Sequence, residues 1–213
     1  MRHYEDITTA LRAILLNVTR GYRYCVVEEV RADKVPGIAE KWIDNFGTTL
    51  SPARRHARKR AGLPNAWACS MPVPGAPHKR LLVLLRTEAD LSKLAPESPW
   101  RREKWRDRIE IGDYIIGVDR RDRGDYAYTV RLSPVCMRRL EGWYRELAGR
   151  SLDQLRIQIE HDVRYYPAFG GVRRQLRRLI RGYAKLYEKK RGSKWPGPDP
   201  ENLPSIGRFR KSE

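Results

Sequence analysis

The sequence predicts an α+β protein: an antiparallel sheet of about five strands packed with helices, followed by a C-terminal basic helical region. Three observations lead there. Apolar residues recur at helical spacing in several separate stretches. Other stretches alternate or run continuously apolar, and some come as neighbouring pairs joined by short turns, as in antiparallel hairpins. The last long helical stretch is crowded with arginine.

Ile7, Leu11, Ile14, Leu15 and Val18 form a helical stripe that Gly21 ends. Residues 22–30, YRYCVVEEV, are aromatic and β-branched and read as a strand. Its closing pair, Glu28 and Glu29, points to opposite faces and does not form a two-carboxylate metal site. Val35, Ile38, Ala39, Trp42, Ile43 and Phe46 give a second helix, ended by Gly47. Ser51-Pro52 supplies an N-cap and a first-turn proline for a third, ARRHARKRA, which stops at Gly62 and Pro64. Residues 34–62 thus have the outline of a helix-turn-helix whose second helix is short and basic. Arg54, Arg55, Arg58, Lys59 and Arg60 would face nucleic acid there, with His56 among them. A base-reading helix buries apolar positions against its partner, and only Ala53, Ala57 and Ala61 are available. Phosphate contact is therefore expected over base reading.

Residues 66–73 alternate, and Pro72 and Pro74 are expected to confine that strand to an edge or cut it short. A turn at residues 75–78 leads to residues 80–86, RLLVLLR, a central strand covered on both faces. Pro99 can open a short helix carrying Arg101, Arg102 and Lys104 beside Trp100 and Trp105. That cluster is either a base-stacking patch or an aromatic edge of the core. Residues 108–118 read as one strand with a bulge or bend at Gly112 or Gly117, and residues 126–132 return to complete a second hairpin. Asp119 and Asp122 lie at its tip, where interleaved arginines favour self-neutralisation over metal binding.

Ser133-Pro134 opens a helix with Cys136, Leu140, Trp143 and Leu147 on one face. Ser151 to Gln154 is a capping box for the next, striped by Leu152, Leu155, Ile159 and Val163. After Pro167 and Gly170-Gly171 comes the arginine-rich helix, residues 169–191. Val172, Leu176, Leu179, Ile180, Tyr183 and Leu186 form its apolar stripe. Arg173, Arg174, Arg177, Arg178, Arg181, Lys185, Lys189, Lys190 and Arg191 are nine cations opposed by Glu188 alone. Such a face repels itself unless an anion lies near it. The domains expected are a 1–132 core, a 133–191 helical region and a 192–213 Pro/Gly-rich tail that is either disordered or a strap. The tail ends in Arg208, Arg210 and Lys211.

Composition narrows the function. The 213 residues carry a formal net charge of +18, an excess that points to a polyanionic partner. No apolar run approaches the ~18 residues of a membrane span, and the N-terminus lacks the pattern of a signal peptide. A cytoplasmic protein without a membrane role is the expectation. Cys25, Cys69 and Cys136 are odd in number and far apart, as buried thiols of a reducing compartment would be. No metal and no cofactor are expected, because paired zinc ligands, HxH, HExxH, GxxxxGK[ST] and GxSxG are all missing. His161 and Tyr165 share one face of a helix at i and i+4, with Asp162 and Tyr166 on the adjoining one. His161, Tyr165 and Tyr166 are thus the candidates for tyrosine-based strand chemistry.

These features fit a nucleic-acid-binding protein that grips phosphates through Arg54, Arg55, Arg58, Lys59, Arg60, Arg101, Arg102, Arg173, Arg174, Arg177, Arg178, Arg181 and Lys185. The arrangement is compatible with an accessory DNA-binding protein of a bacterial mobile element or replication system. It is also compatible with an RNA-binding subunit of a larger nucleoprotein assembly, or with a metal-independent nuclease or strand-transfer enzyme. Arginine serves DNA and RNA alike.

Overall fold

The computed structural model describes residues 1–102, 105–120 and 124–205. Lys104, Asp122, Arg208, Arg210 and Lys211 lie outside the described residues. The described chain is mixed α+β, with seven α-helices and two sheets. It divides into two compact units, Met1–Gly112 and Asp113–Glu213. The second hairpin, residues 114–132, lies in the second of these units with the C-terminal helices. The one sheet of about five strands expected from sequence is corrected to a four-stranded and a three-stranded sheet.

The first unit contains β1 (Arg2–His3), α1 (Ile7–Thr19), β2 (Tyr22–Arg31), α2 (Val35–Phe46) and α3 (Pro52–Arg60). It continues through β3 (Ala66–Val73), β4 (Ala76–Thr87), α4 (Pro99–Arg102) and β5 (Ile109–Ile111). Its sheet runs β1-β3-β4-β2. The continuous apolar run of β4 is explained by its central place: Leu82, Val83, Leu84 and Leu85 have no exposed surface. Each such side chain contributes about 1.5–3 kcal/mol by leaving water. β3 is not the edge strand that Pro72 suggested. The two-residue β1, which sequence reasoning missed, pairs parallel with Cys69 and Ser70 only, so Pro72 sits beyond that pairing and costs no ladder bond there. Against this sheet a core of Val35, Trp42, Phe46, Ala66, Ala68 and Trp100 closes around α2. Phe46 meets Trp100 edge-to-face at 5.0 Å, and Trp100 stacks on Trp105 at 5.9 Å. The two indoles are therefore part of the core edge.

The second unit contains β6 (Tyr114–Arg120), β7 (Tyr126–Leu132), α5 (Pro134–Arg150), α6 (Leu152–Tyr165) and α7 (Gly170–Arg191). The second sheet has the order β5-β6-β7. Gly112 is not a bulge inside one strand: at φ +54° it makes a turn that ends β5 and lets β6 begin at Tyr114. The edge strand β7 is covered by α7. A Cβ on Gly171 would lie 2.5 Å from the Val130 carbonyl oxygen, so only glycine permits this approach. Gln175 fixes the register from both ends of its amide. Its Oε1 accepts from the Leu132 N–H at 2.8 Å, and its Nε2 donates to the Leu132 carbonyl at 3.0 Å.

Two helical stripes differ from expectation. On α5 it is Tyr144 that is buried, while Trp143 is 45% exposed. Both positions fit a 3.6-residue repeat, and Tyr144 wins because its hydroxyl donates to the buried Asp162 at 2.8 Å. On α7 the buried positions run Val172, Leu176, Leu179, Ile180, Ala184 and Tyr187, while Tyr183 and Leu186 are only half-buried. Tyr187 is selected by the tail, whose Trp195 meets it edge-to-face at 5.3 Å.

Candidate nucleic-acid interface

Helix α3 starts where its chemistry allows. The Ser51 hydroxyl accepts from the Arg54 N–H at 3.4 Å, and Pro52 occupies the first turn. It stops at Gly62, which adopts φ +74° and lets the Leu63 N–H return to the Arg58 carbonyl at 2.9 Å. Arg58, Lys59 and Arg60 sit in its last turn, where the helix dipole favours cations. None of its residues is buried. α2 and α3 are two successive helices, and α3 holds its place through its ends and polar side chains.

The five basic residues of α3 divide into two groups. Arg58 turns inward. Its Nε donates to the Pro64 carbonyl at 2.9 Å, and its guanidinium lies 5.7 Å from the Trp100 ring centroid. Burial holds its pKa below the ordinary arginine value. It fixes the helix to the core and is not free to meet a ligand. Arg55 and Lys59, one turn apart, instead line a cleft of about 620 Å³ together with His56. Arg20 and Arg23, from the junction of α1 and β2, line the same cleft, and Glu88 is the one acidic residue among the lining. Arg20, Arg55 and Lys59 have no ion pair among the described residues. Arg54 and Arg60 are exposed on α3 outside the cleft.

The back of the cleft is tied together by hydrogen bonds of Asn65. Asn65, just before β3, is only 5% exposed and ties α3 to the end of β4. Its N–H donates to the Thr87 hydroxyl at 3.1 Å, its carbonyl accepts from the Thr87 N–H at 3.0 Å, and its Nδ2 donates to the Arg55 carbonyl at 3.0 Å. Its Oδ1 is buried without a hydrogen-bond partner among the described residues. Next to it on β4, Arg86 is 6% exposed and lies between Tyr24 at 4.3 Å and Trp105 at 5.0 Å. The two rings take the place of a carboxylate, and burial lowers the Arg86 pKa. Sequence reasoning missed Arg20, Arg23 and Asn65. A usable signal lay in residues 20–23, where Gly21 is flanked by two arginines at a helix-to-strand junction.

Of the other predicted residues in this unit, Arg101 donates to the carbonyls of Leu91 and Leu94, and Arg102 is exposed. Arg101 therefore holds the preceding turn in place.

In the second unit the arginine-rich face of α7 is partly answered by the chain itself. Arg174 meets Asp119 at 2.6 Å, and Arg181 forms two hydrogen bonds to Glu201. Arg191 meets Asp153 at 3.2 Å, and Arg177 donates to the Pro200 carbonyl at 3.0 Å. Residues 192–205 form a strap anchored by the buried Trp195 and Leu203. Arg173 is half-buried, whereas Arg178 and Lys185 remain exposed.

The histidine–tyrosine cluster is assembled as its helical spacing suggested. His161 stacks on Tyr165 at 5.7 Å, and Tyr165 meets Tyr166 at 5.1 Å. His161 Nδ1 lies 3.1 Å from Asp162, a buried carboxylate that also accepts from Gln158 and Tyr144. The stacked rings place the imidazole face, not a ring nitrogen, against Tyr165. Tyr166 is buried, its hydroxyl 3.6 Å from the Cys136 sulfur, and burial raises its pKa. A phenol so held is a poor nucleophile. Cys25 is likewise a core thiol, pushed up to about 11 by burial.

No helix is long and apolar enough to cross a membrane among the described residues. No protein-family model matches the chain, and comparison with curated proteins and with solved structures finds no match. The fold and the cationic cleft are thus the ground for a functional reading.

Proposed function

We propose that this protein binds nucleic acid through its phosphates, with the α3 cleft as the principal contact and the exposed cations of α7 as a second. The reading rests on one observation. Arg20, Arg55 and Lys59 line one concave site beside His56 and Arg23, opposed only by Glu88 among the lining residues. Arg20, Arg55 and Lys59, held together without an ion pair among the described residues, repel one another, and phosphate relieves that repulsion while releasing counterions. Arg55 can take a phosphate bidentately, and Lys59 adds a point charge. An accessory role in a cytoplasmic nucleoprotein assembly of a mobile element or replication system suits such binding, as does a role on RNA.

Fluorescence anisotropy with labelled DNA and RNA across a salt series tests this. Affinity should fall steeply with salt, by a slope of about 0.7–0.9 per phosphate contacted. The double variant Arg55→Glu/Lys59→Glu should weaken binding by about tenfold or more and lower the slope by about two, with circular dichroism unchanged. Undiminished binding by that variant would overturn the assignment of the cleft.

A further inference from the structure

We infer that the α3 cleft accepts one unpaired nucleotide, with its phosphate on Arg55 and Lys59 and its base against the wall formed by Leu63 and Asn65, so that single-stranded nucleic acid is the ligand of the Met1–Gly112 unit. This deepens the proposed nucleic-acid reading and depends on it.

Three observations carry the inference. The first is shape. A duplex presents its phosphates on a convex surface and needs only a basic strip, such as the exposed side of α3. Here two of the helix's cations and His56 instead line a concavity of about 620 Å³. That volume falls within the range of pockets that enclose small ligands, about 300–1,000 Å³. Only a base splayed out of a helix can enter such a space, which is how single strands are recognised. The second is chemistry across the cleft. The cations line it together with half-buried Leu63 and buried Asn65. A nucleotide has the matching pair of ends, an anionic phosphate and a flat, mostly apolar base with polar edges.

The third is Asn65 itself. Its Nδ2 is committed to the Arg55 carbonyl at 3.0 Å, which settles the amide orientation and leaves Oδ1 as an acceptor without a partner among the described residues. A buried unfilled acceptor costs stability unless a donor reaches it. An amino or imino N–H on a base edge is such a donor once a shift of the Asn65 side chain opens Oδ1, which has almost no accessible surface in this structure, to the cleft. The bond from Nδ2 also ties the wall directly to the Arg55 backbone, so base and phosphate subsites are held at a fixed separation. His56, exposed beside Lys59, is placed to stack on the neighbouring base.

The test uses the full chain and anisotropy at low salt with four probes. They are fluorescein-labelled deoxy and ribo single strands of mixed sequence, a blunt duplex of the same length, and the deoxy strand made abasic throughout. At least one intact single strand should bind roughly tenfold tighter than the duplex and the abasic strand. Whichever of deoxy and ribo binds tighter identifies the polymer. Arg55→Ala and Lys59→Ala, both on a helix with no fully buried residue, should weaken the intact strand several-fold. His56→Ala should narrow the gap between intact and abasic strands. If duplex and abasic strand bind as tightly as intact single strands, the cleft is a bare phosphate contact. The inference is then wrong while the proposed function stands. If no probe binds at low salt, the proposed function fails and takes the inference with it.

Discussion

The two arginine-rich helices make an instructive pair. In sequence α7 is the stronger candidate, with nine cations against Glu188, while α3 offers five and His56. In the fold the order reverses. Four of the α7 arginines are engaged by Asp119, Asp153, Glu201 and the Pro200 carbonyl. On α3 only Arg58 is spent on the protein's own backbone, and Arg55 and Lys59 open into a shared cleft with Arg20 and Arg23. Cation density along one helix is thus a poor measure of the charge left for a partner. The anions that answer α7 come from 20 to 55 residues away, as with Arg174 and Asp119, whose separation is 55. A reading along one helix does not see them.

The strap gives the largest handle on this contrast. Trp195 is 8% exposed against Tyr187, and Trp195→Ala should cost about 3–5 kcal/mol in urea unfolding of the C-terminal unit followed by circular dichroism. It should also release Arg177 and Arg181 from Pro200 and Glu201, so binding by the variant should become more salt-dependent. An unchanged salt slope would show that those arginines are not held back by the strap. A smaller effect is expected from the opposite side of α7. Gly171→Ala forces a methyl against the Val130 carbonyl and should cost about 1–3 kcal/mol. Its salt slope should stay at the wild-type value, because this contact positions the helix and leaves its cations as they are. Glu201→Gln is the finest probe. Its ion pair with Arg181 is about half-exposed on both sides, so stability should change by less than about 1 kcal/mol. Affinity should rise slightly as one guanidinium is freed. A loss of affinity would mean that Glu201 orients Arg181 for binding, and α7 would regain the lead over α3.

Much of the framework was legible from residue order, and the reasons are local. Ser51, Ser133 and Ser151 each cap the helix they were expected to cap, because a hydroxyl beside the first free N–H groups suffices. β4 was read as central from its unbroken apolar run, which only a strand covered on both faces tolerates. The failures share a different cause. β1 is two residues long and is held by its partner strand, so no pattern of its own could mark it. The choice of Tyr144 over Trp143 turned on Asp162, a buried acid on another helix. That β5 and β6 are two strands, and not one, turned on a turn at Gly112 that composition alone could not tell from a bulge.

By itself, then, the sequence determined the alternation of helices and strands, their caps and stops, and an excess of positive charge that calls for an anion. Tertiary structure alone decided where that charge remains open. Capping and periodicity act over a few residues and are written locally, whereas the field at a surface is a sum over every charge that folding brings within a Debye length of about 8 Å. Asn65 and Arg55 meet ten positions apart, and Arg181 finds Glu201 twenty positions on. The fold thus left the shorter basic helix facing a cleft while the longer one is partly neutralised by its own chain.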